Sequence, residues 1–138
     1  MWNRTFPDSE IVNRVTEKTV QFASEFGHYL ATDGVERLPN GRSETIAKLT
    51  PSQLRKFFSE VKRQQMQGYD PTRFILLKPK LAYAVGRAGH NSKMTDFYRV
   101  MSSAINLVND RVSFKNFIDF FEAIVAYHKA ASEGQQLN

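Results

Sequence analysis

The apolar positions of this chain recur in helical steps. In "LTPSQLRKFFSEVKRQQ", residues 49–65, Leu54, Phe57, Phe58 and Val61 keep the i, i+3, i+4, i+7 spacing that lines one helix face. Thr50 can cap that helix, Pro51 suits its first position, and Gln53 stands where the second half of a capping box belongs. A longer helix is predicted before it, from about Asp8 to Ala31, with a seam of Val12, Val15, Thr19, Phe22, Phe26 and Tyr29 or Leu30. Between the two, "TDGVERLPNGRSET" interrupts the pattern with Gly, Pro and Asn-Gly, so residues 32–48 read as a loop.

Beyond Gly68, "YDPTRFILLKPKLAYAVGRAGHN" predicts a short helical turn, a break at Lys78-Pro79 and a helix ending at Gly89. Asn91 or Ser92 can cap a fourth helix, whose seam is Met94, Phe97, Tyr98, Met101, Ile105 and Val108. Ser113 can cap a fifth that runs to about Ala131, with "SEGQQLN" at 132–138 as a frayed tail. No stretch alternates apolar and polar residues long enough to claim a strand. The fold class expected is all-α: a compact bundle of about five helices, forming a single helical domain over residues 1–138.

The fifth helix is apolar over an unusually wide arc. Phe114, Phe117, Ile118, Phe121, Val125 and His128 form one stripe, and Phe120, Ile124 and Tyr127 widen it. Such an arc belongs to a helix buried on most sides, or to one that also meets a neighbouring subunit. On the second reading Phe120, Ile124, Tyr127 and the adjoining Lys129 are candidate subunit-interface residues, and an exposed apolar edge there would favour a dimer of the free chain.

Composition narrows the function classes. The 138 residues include no cysteine, which excludes disulfides and thiolate metal sites. No apolar run approaches the ~20 residues that span a bilayer, and "MWNRTFPDSE" lacks the apolar stretch of a secretion signal. A soluble, cytoplasmic protein without a membrane partner is expected. The three histidines are far apart, and no metal-ligand spacing, phosphate loop, nucleophile elbow or paired-carboxylate signature appears. No catalytic residue, metal or cofactor is therefore predicted. His28 and His128 read as packed or half-buried, and His90 as a loop residue open to solvent or RNA.

Charge is unevenly spread. The chain carries +5 overall, yet Arg42 to Arg99 holds twelve Lys or Arg against four acids, +8, while the remainder has seven against ten, −3. That asymmetry is an electrostatic footprint of the kind nucleic-acid contact requires. On the 49–65 helix, Arg55 and Lys62 form one row, Lys56 and Arg63 the next, and only Glu60 offers an opposite charge. On the third, Lys80, Tyr83 and Arg87 stand at i, i+3, i+7, with Arg73 and Lys78 adding charge nearby. A Tyr between two cations can stack on a base, or lie against an Arg, while the cations meet phosphates. The candidate RNA-binding residues are thus Arg55, Lys56, Lys62, Arg63, Lys78, Lys80, Tyr83 and Arg87. Nothing in the sequence matches a base-reading motif, so the contact expected is with the backbone.

Three segments carry a resemblance. "LTPSQLRKFFSEV" (49–61), "LLKPKLAYAVGR" (76–87) and "FIDFFEAIVAYHK" (117–129) resemble, in order and spacing, the small subunit of the type III-A (Csm) CRISPR effector complex. The last is the most specific. The resemblance implies an all-helical, non-catalytic, antiviral-defence subunit whose copies stack head to tail along the crRNA–target RNA duplex. Its partners would be crRNA, target RNA, the backbone and large subunits of the Csm complex, and further copies of itself. Carried onto this chain, the family's Arg/Lys pair falls on Arg55 and Lys56, its Lys-Pro on Lys78 and Pro79, and its Gly-Arg on Gly86 and Arg87. The Tyr-His-Lys end falls on Tyr127, His128 and Lys129, a set expected to be structural or inter-subunit. Two other readings remain open at this point: the small subunit of a type III-B complex, and a basic helical adaptor for an acidic protein.

Overall fold

In the computed structural model, which describes Trp2 and residues 6–134, two separate caps divide the predicted first helix. Helix α1 is only Ser9–Val12, capped by the Asp8 carboxylate, which accepts from the Glu10 and Ile11 amides at 3.0 and 3.3 Å. Helix α2 restarts at Glu17–Ala31. There Thr19 Oγ1 accepts from the Thr16 amide and donates to the Ile11 carbonyl at 2.7 Å, so one hydroxyl joins the end of α1 to the start of α2. Hydroxyls and carboxylates so placed compete with a continuous helix for its own amides. Val15, predicted in the seam, lies in the break and is 49% exposed.

The region read as a loop contains a hairpin. Strands β1 (Gly34–Arg37) and β2 (Ser43–Ile46) pair antiparallel, with Glu36 opposite Glu44. The turn uses Asn40-Gly41, with Gly41 at φ +84° and the Asn40 side chain accepting from the Arg42 amide. Both faces are largely solvated and only Ile46 is buried, so no alternation marks these strands. The hairpin is tied down beyond β2, where Ala47 exchanges backbone hydrogen bonds with Asn91 and Lys93 at 2.7 and 2.9 Å. Below it, the buried Lys93 donates to the Tyr29 carbonyl at 2.6 Å and lies 3.8 Å from the Tyr29 ring centre.

The remaining helices follow the apolar seams. Helix α3, Pro51–Gln67, begins with the expected Thr50/Gln53 capping box and buries Leu54, Phe57 and Val61. Asp70 caps α4, Pro71–Ile75, and α5 is Leu77–Ala88. The break therefore falls at Leu76, two positions before the expected Lys78-Pro79. Pro79 sits in the first turn of α5, where its missing amide costs nothing. Helix α6, Met94–Ile105, buries Met94, Phe97, Met101 and Ile105 as predicted, while Val108 lies past its end. Helix α7, Arg111–Ser132, is capped by Asp110, and Ser113 completes the capping box from the third helical position instead of supplying the cap. The tail expected to fray lies, from residue 135 on, outside the described residues.

The whole is an all-α bundle with a two-stranded appendage, built on five helices of at least twelve residues. Helix α7 is its central member. Phe114, Phe117, Ile118, Phe120, Phe121, Ile124 and His128 are all buried along it, against α2 on one side and α3 on another. Phe121 alone meets the rings of Phe58, Phe97 and Phe117 at centroid distances of 5.3, 5.8 and 6.2 Å. The wide apolar arc is thus satisfied within one chain. Phe120 and Ile124, offered above as subunit-interface candidates, have no exposed surface in the single chain. Tyr127 is half-buried and Lys129 exposed.

Candidate nucleic-acid interface

Helix α3 lies against α7, and α5 against α6, which leaves a groove where α3 and α5 face each other. It encloses about 960 Å³. Lys56, Glu60 and Arg63 enter it from α3, and Lys80, Tyr83 and Arg87 from α5. Each basic pair is seven residues apart, so each helix presents a two-cation row rising ~10 Å along its axis. Behind the charged rim lie Pro79, Ala84 and Ala88, with the edges of Phe57 and Met94. The floor was not foreseen as part of a site. Its sequence signal was slight: two alanines one turn apart on α5.

Four cations face one carboxylate across this groove, a net charge of +3. Lys80 Nζ lies 2.6 Å from Glu60 Oε1 and bridges α5 to α3, while Arg63 pairs with the other oxygen of Glu60 from the next turn. Burial pushes the Glu60 pKa up, but the hydrogen bonds and charges of Lys80 and then Arg63 outweigh it and hold the carboxyl below its ordinary value. Glu60 is thus a fixed negative charge that orders two of the four cations. The other two are available: among the described residues, Lys56 and Arg87 have no carboxylate within 4.0 Å. The Arg87 guanidinium lies 5.9 Å from the Tyr83 ring centre, and Tyr83 is 68% exposed.

The predicted single cationic face is divided. Rows on α3 that differ by one residue are ~100° apart, enough to place them on different flanks of the helix. Lys62 turns toward α7, 3.8 Å from Glu122 and 5.8 Å from the Phe58 ring centre. Arg55 shares that row and is exposed, outside the groove. Lys78 is hydrogen-bonded to Asn106 beyond the end of α6, and Arg73 donates to the Gly68 carbonyl at 3.1 Å, closing the end of α3. Of the eight sequence candidates, the structure therefore brings together Lys56, Arg63, Lys80, Tyr83 and Arg87. It separates Arg55, Lys62 and Lys78 from them.

The histidines take different places from each other. His28 is exposed, contrary to its expected packing, and His90 lies 2.8 Å from Glu44, joining the α5–α6 loop to the hairpin. His128 is 1% exposed. Among the described residues, no cluster of three or more His, Asp or Glu could hold a metal ion, and no helix is long and apolar enough to cross a membrane.

The family model described as Csm2 Type III-A matches residues 13–134, a span running from the end of α1 through α7. It covers all three segments that carry the resemblance and also the hairpin. No curated protein and no solved structure matches the chain.

Proposed function

The chain belongs to the Csm2 Type III-A family, and from that premise we propose that it holds RNA in the cationic groove between α3 and α5. The family makes it the small, structural subunit of a type III-A CRISPR effector, with other Csm subunits as its partners. The reading is carried by one observation: four cations converge on one groove, and a single internal carboxylate offsets them. Lys56 and Arg87 meet phosphates directly, and Arg63 and Lys80 add charge while remaining ordered by Glu60. Phosphate contact fixes position without reading bases. That suits a subunit repeated along a crRNA–target RNA duplex whose sequence varies. In this reading copies of the chain follow one another along the duplex in the cytoplasm, and cleavage is left to other subunits.

The test is a charge reversal confined to the groove. Lys56, Arg63, Lys80 and Arg87 replaced together by Glu should abolish binding of a guide–target RNA duplex, while the circular-dichroism melt of the helices changes little. Arg55→Glu with Lys62→Glu, both outside the groove, serves as the comparison for Lys56→Glu with Arg87→Glu and should retain most of the binding. Equal losses from the two sets would remove the groove from the account.

A further inference from the structure

A track for phosphates alone has no use for an apolar floor. The α3–α5 groove has one, formed by Pro79, Ala84 and Ala88 with the edges of Phe57 and Met94. At its rim Tyr83 holds a large ring 68% exposed, and the Arg87 guanidinium lies 5.9 Å from the ring centre. A phenol ring so exposed contributes little to the core, but it offers a π-face to a ligand. The groove is also wide: about 960 Å³, near the top of the ~300–1,000 Å³ range of clefts that hold a small ligand. The ligand these features describe has one flat apolar face and negative charge on either side of it. A nucleotide within a strand has that form, but only when its base is free of its neighbours, because a paired base in a duplex keeps both faces stacked.

We propose that the groove seats one unstacked base of an RNA strand, laid against Tyr83 and the apolar floor, with Lys56 and Arg87 on the flanking phosphates. The proposal rests on the RNA-holding reading above and adds the ligand's state to it: a single strand, or a point where a duplex is interrupted. Arg87 then serves two groups, a phosphate and the Tyr83 ring that it steadies. Pairing between Glu60 and Lys80 keeps the two walls at a fixed separation.

The experiment compares three RNAs of equal length on the full chain: a single strand, the same ribose-phosphate strand without bases, and a fully paired duplex. Each is titrated with the natural protein, Tyr83→Ala and Tyr83→Phe. Loss of one base–aromatic stack should weaken Tyr83→Ala on the single strand about tenfold. Tyr83→Phe keeps the ring and should bind like the natural protein, and the baseless strand should not distinguish the three proteins. An exposed side chain makes both variants foldable, which a melt verifies. If Tyr83→Ala weakens the baseless strand or the duplex as much as the single strand, or weakens none, the base seat is overturned and phosphate holding stands. If the natural protein binds none of the three, both fall together.

Discussion

The ring of His128 is fixed at both nitrogens. Nε2 lies 2.7 Å from the Leu49 carbonyl, which can only accept, so Nε2 carries the proton and Nδ1 faces the Ser132 hydroxyl at 3.5 Å. One side chain of α7 thereby anchors the segment that leads into α3. Burial pulls the His128 pKa down from its ordinary 6.5, and the Leu49 carbonyl recovers only part of that. Below pH 6.5 the unfolded chain takes up a proton that native His128 refuses. Stability therefore falls as pH falls through that window and levels off only below the depressed native value. His128→Gln removes this proton linkage. The variant should be less stable at pH 7.5 by roughly 1–3 kcal/mol, through the buried carbonyl it leaves poorly satisfied. Its melting temperature should also drop less than the natural protein's between pH 7.5 and 5.5. Parallel pH profiles for the two proteins would show that the imidazole is not a proton-linked element of the fold.

Between elements, α2 and α7 make a close approach at a residue with no side chain. A Cβ on Gly27 of α2 would stand 2.9 Å from the His128 amide nitrogen and 2.9 Å from the Ile124 carbonyl oxygen, both backbone atoms of α7. Backbone cannot turn aside as a rotamer can. Gly27→Ala should thus destabilise the bundle by ~1–3 kcal/mol, even though alanine suits a helix interior better than glycine by about 1 kcal/mol. A thermal melt that moves down several degrees is the expected result; a melt that moves up would mean that α2 and α7 are not packed this closely. Nothing in "EFGHY" announces this contact, because the atoms that require it lie a hundred residues away. The helical seams were legible for the opposite reason: Leu54, Phe57 and Val61 encode their burial in their own spacing. Where local chemistry competes with periodicity, the spacing misleads. Thr19 splits the first helix by bonding Ile11, and the hairpin hides because Val35 and its neighbours face solvent on both sides. Caps were visible as residue types, yet Asp110 caps α7 in place of the predicted Ser113, since either residue type can begin a helix.

At the scale of the whole molecule, the mid-chain concentration of bases was legible as a sum and its placement was not. Lys56 and Arg63 share a groove with Lys80 and Arg87 because α3 packs on α7 and α5 on α6; Lys62, one residue from Arg63, turns toward α7, and Arg55, one residue from Lys56, is exposed outside the groove. No count of charges along the chain contains that partition, which follows from tertiary neighbours. It has a measurable consequence. Each phosphate contact on a single strand releases counterions worth ~0.7 in the slope of log K against log salt, so the two direct groove contacts, Lys56 and Arg87, predict a slope of about −1.4. Arg87→Ala should reduce the steepness by ~0.7, while Arg55→Ala, off the groove, should leave it as it was. A binding isotherm repeated over a range of potassium chloride concentrations reads both. The slope separates the groove from a diffuse basic surface, because on a diffuse surface the loss of either arginine would flatten the dependence by the same small amount. Equal slopes for the two variants would mean that the RNA senses only the net charge of the molecule, and that the geometry joining α3 to α5 has no part in holding it.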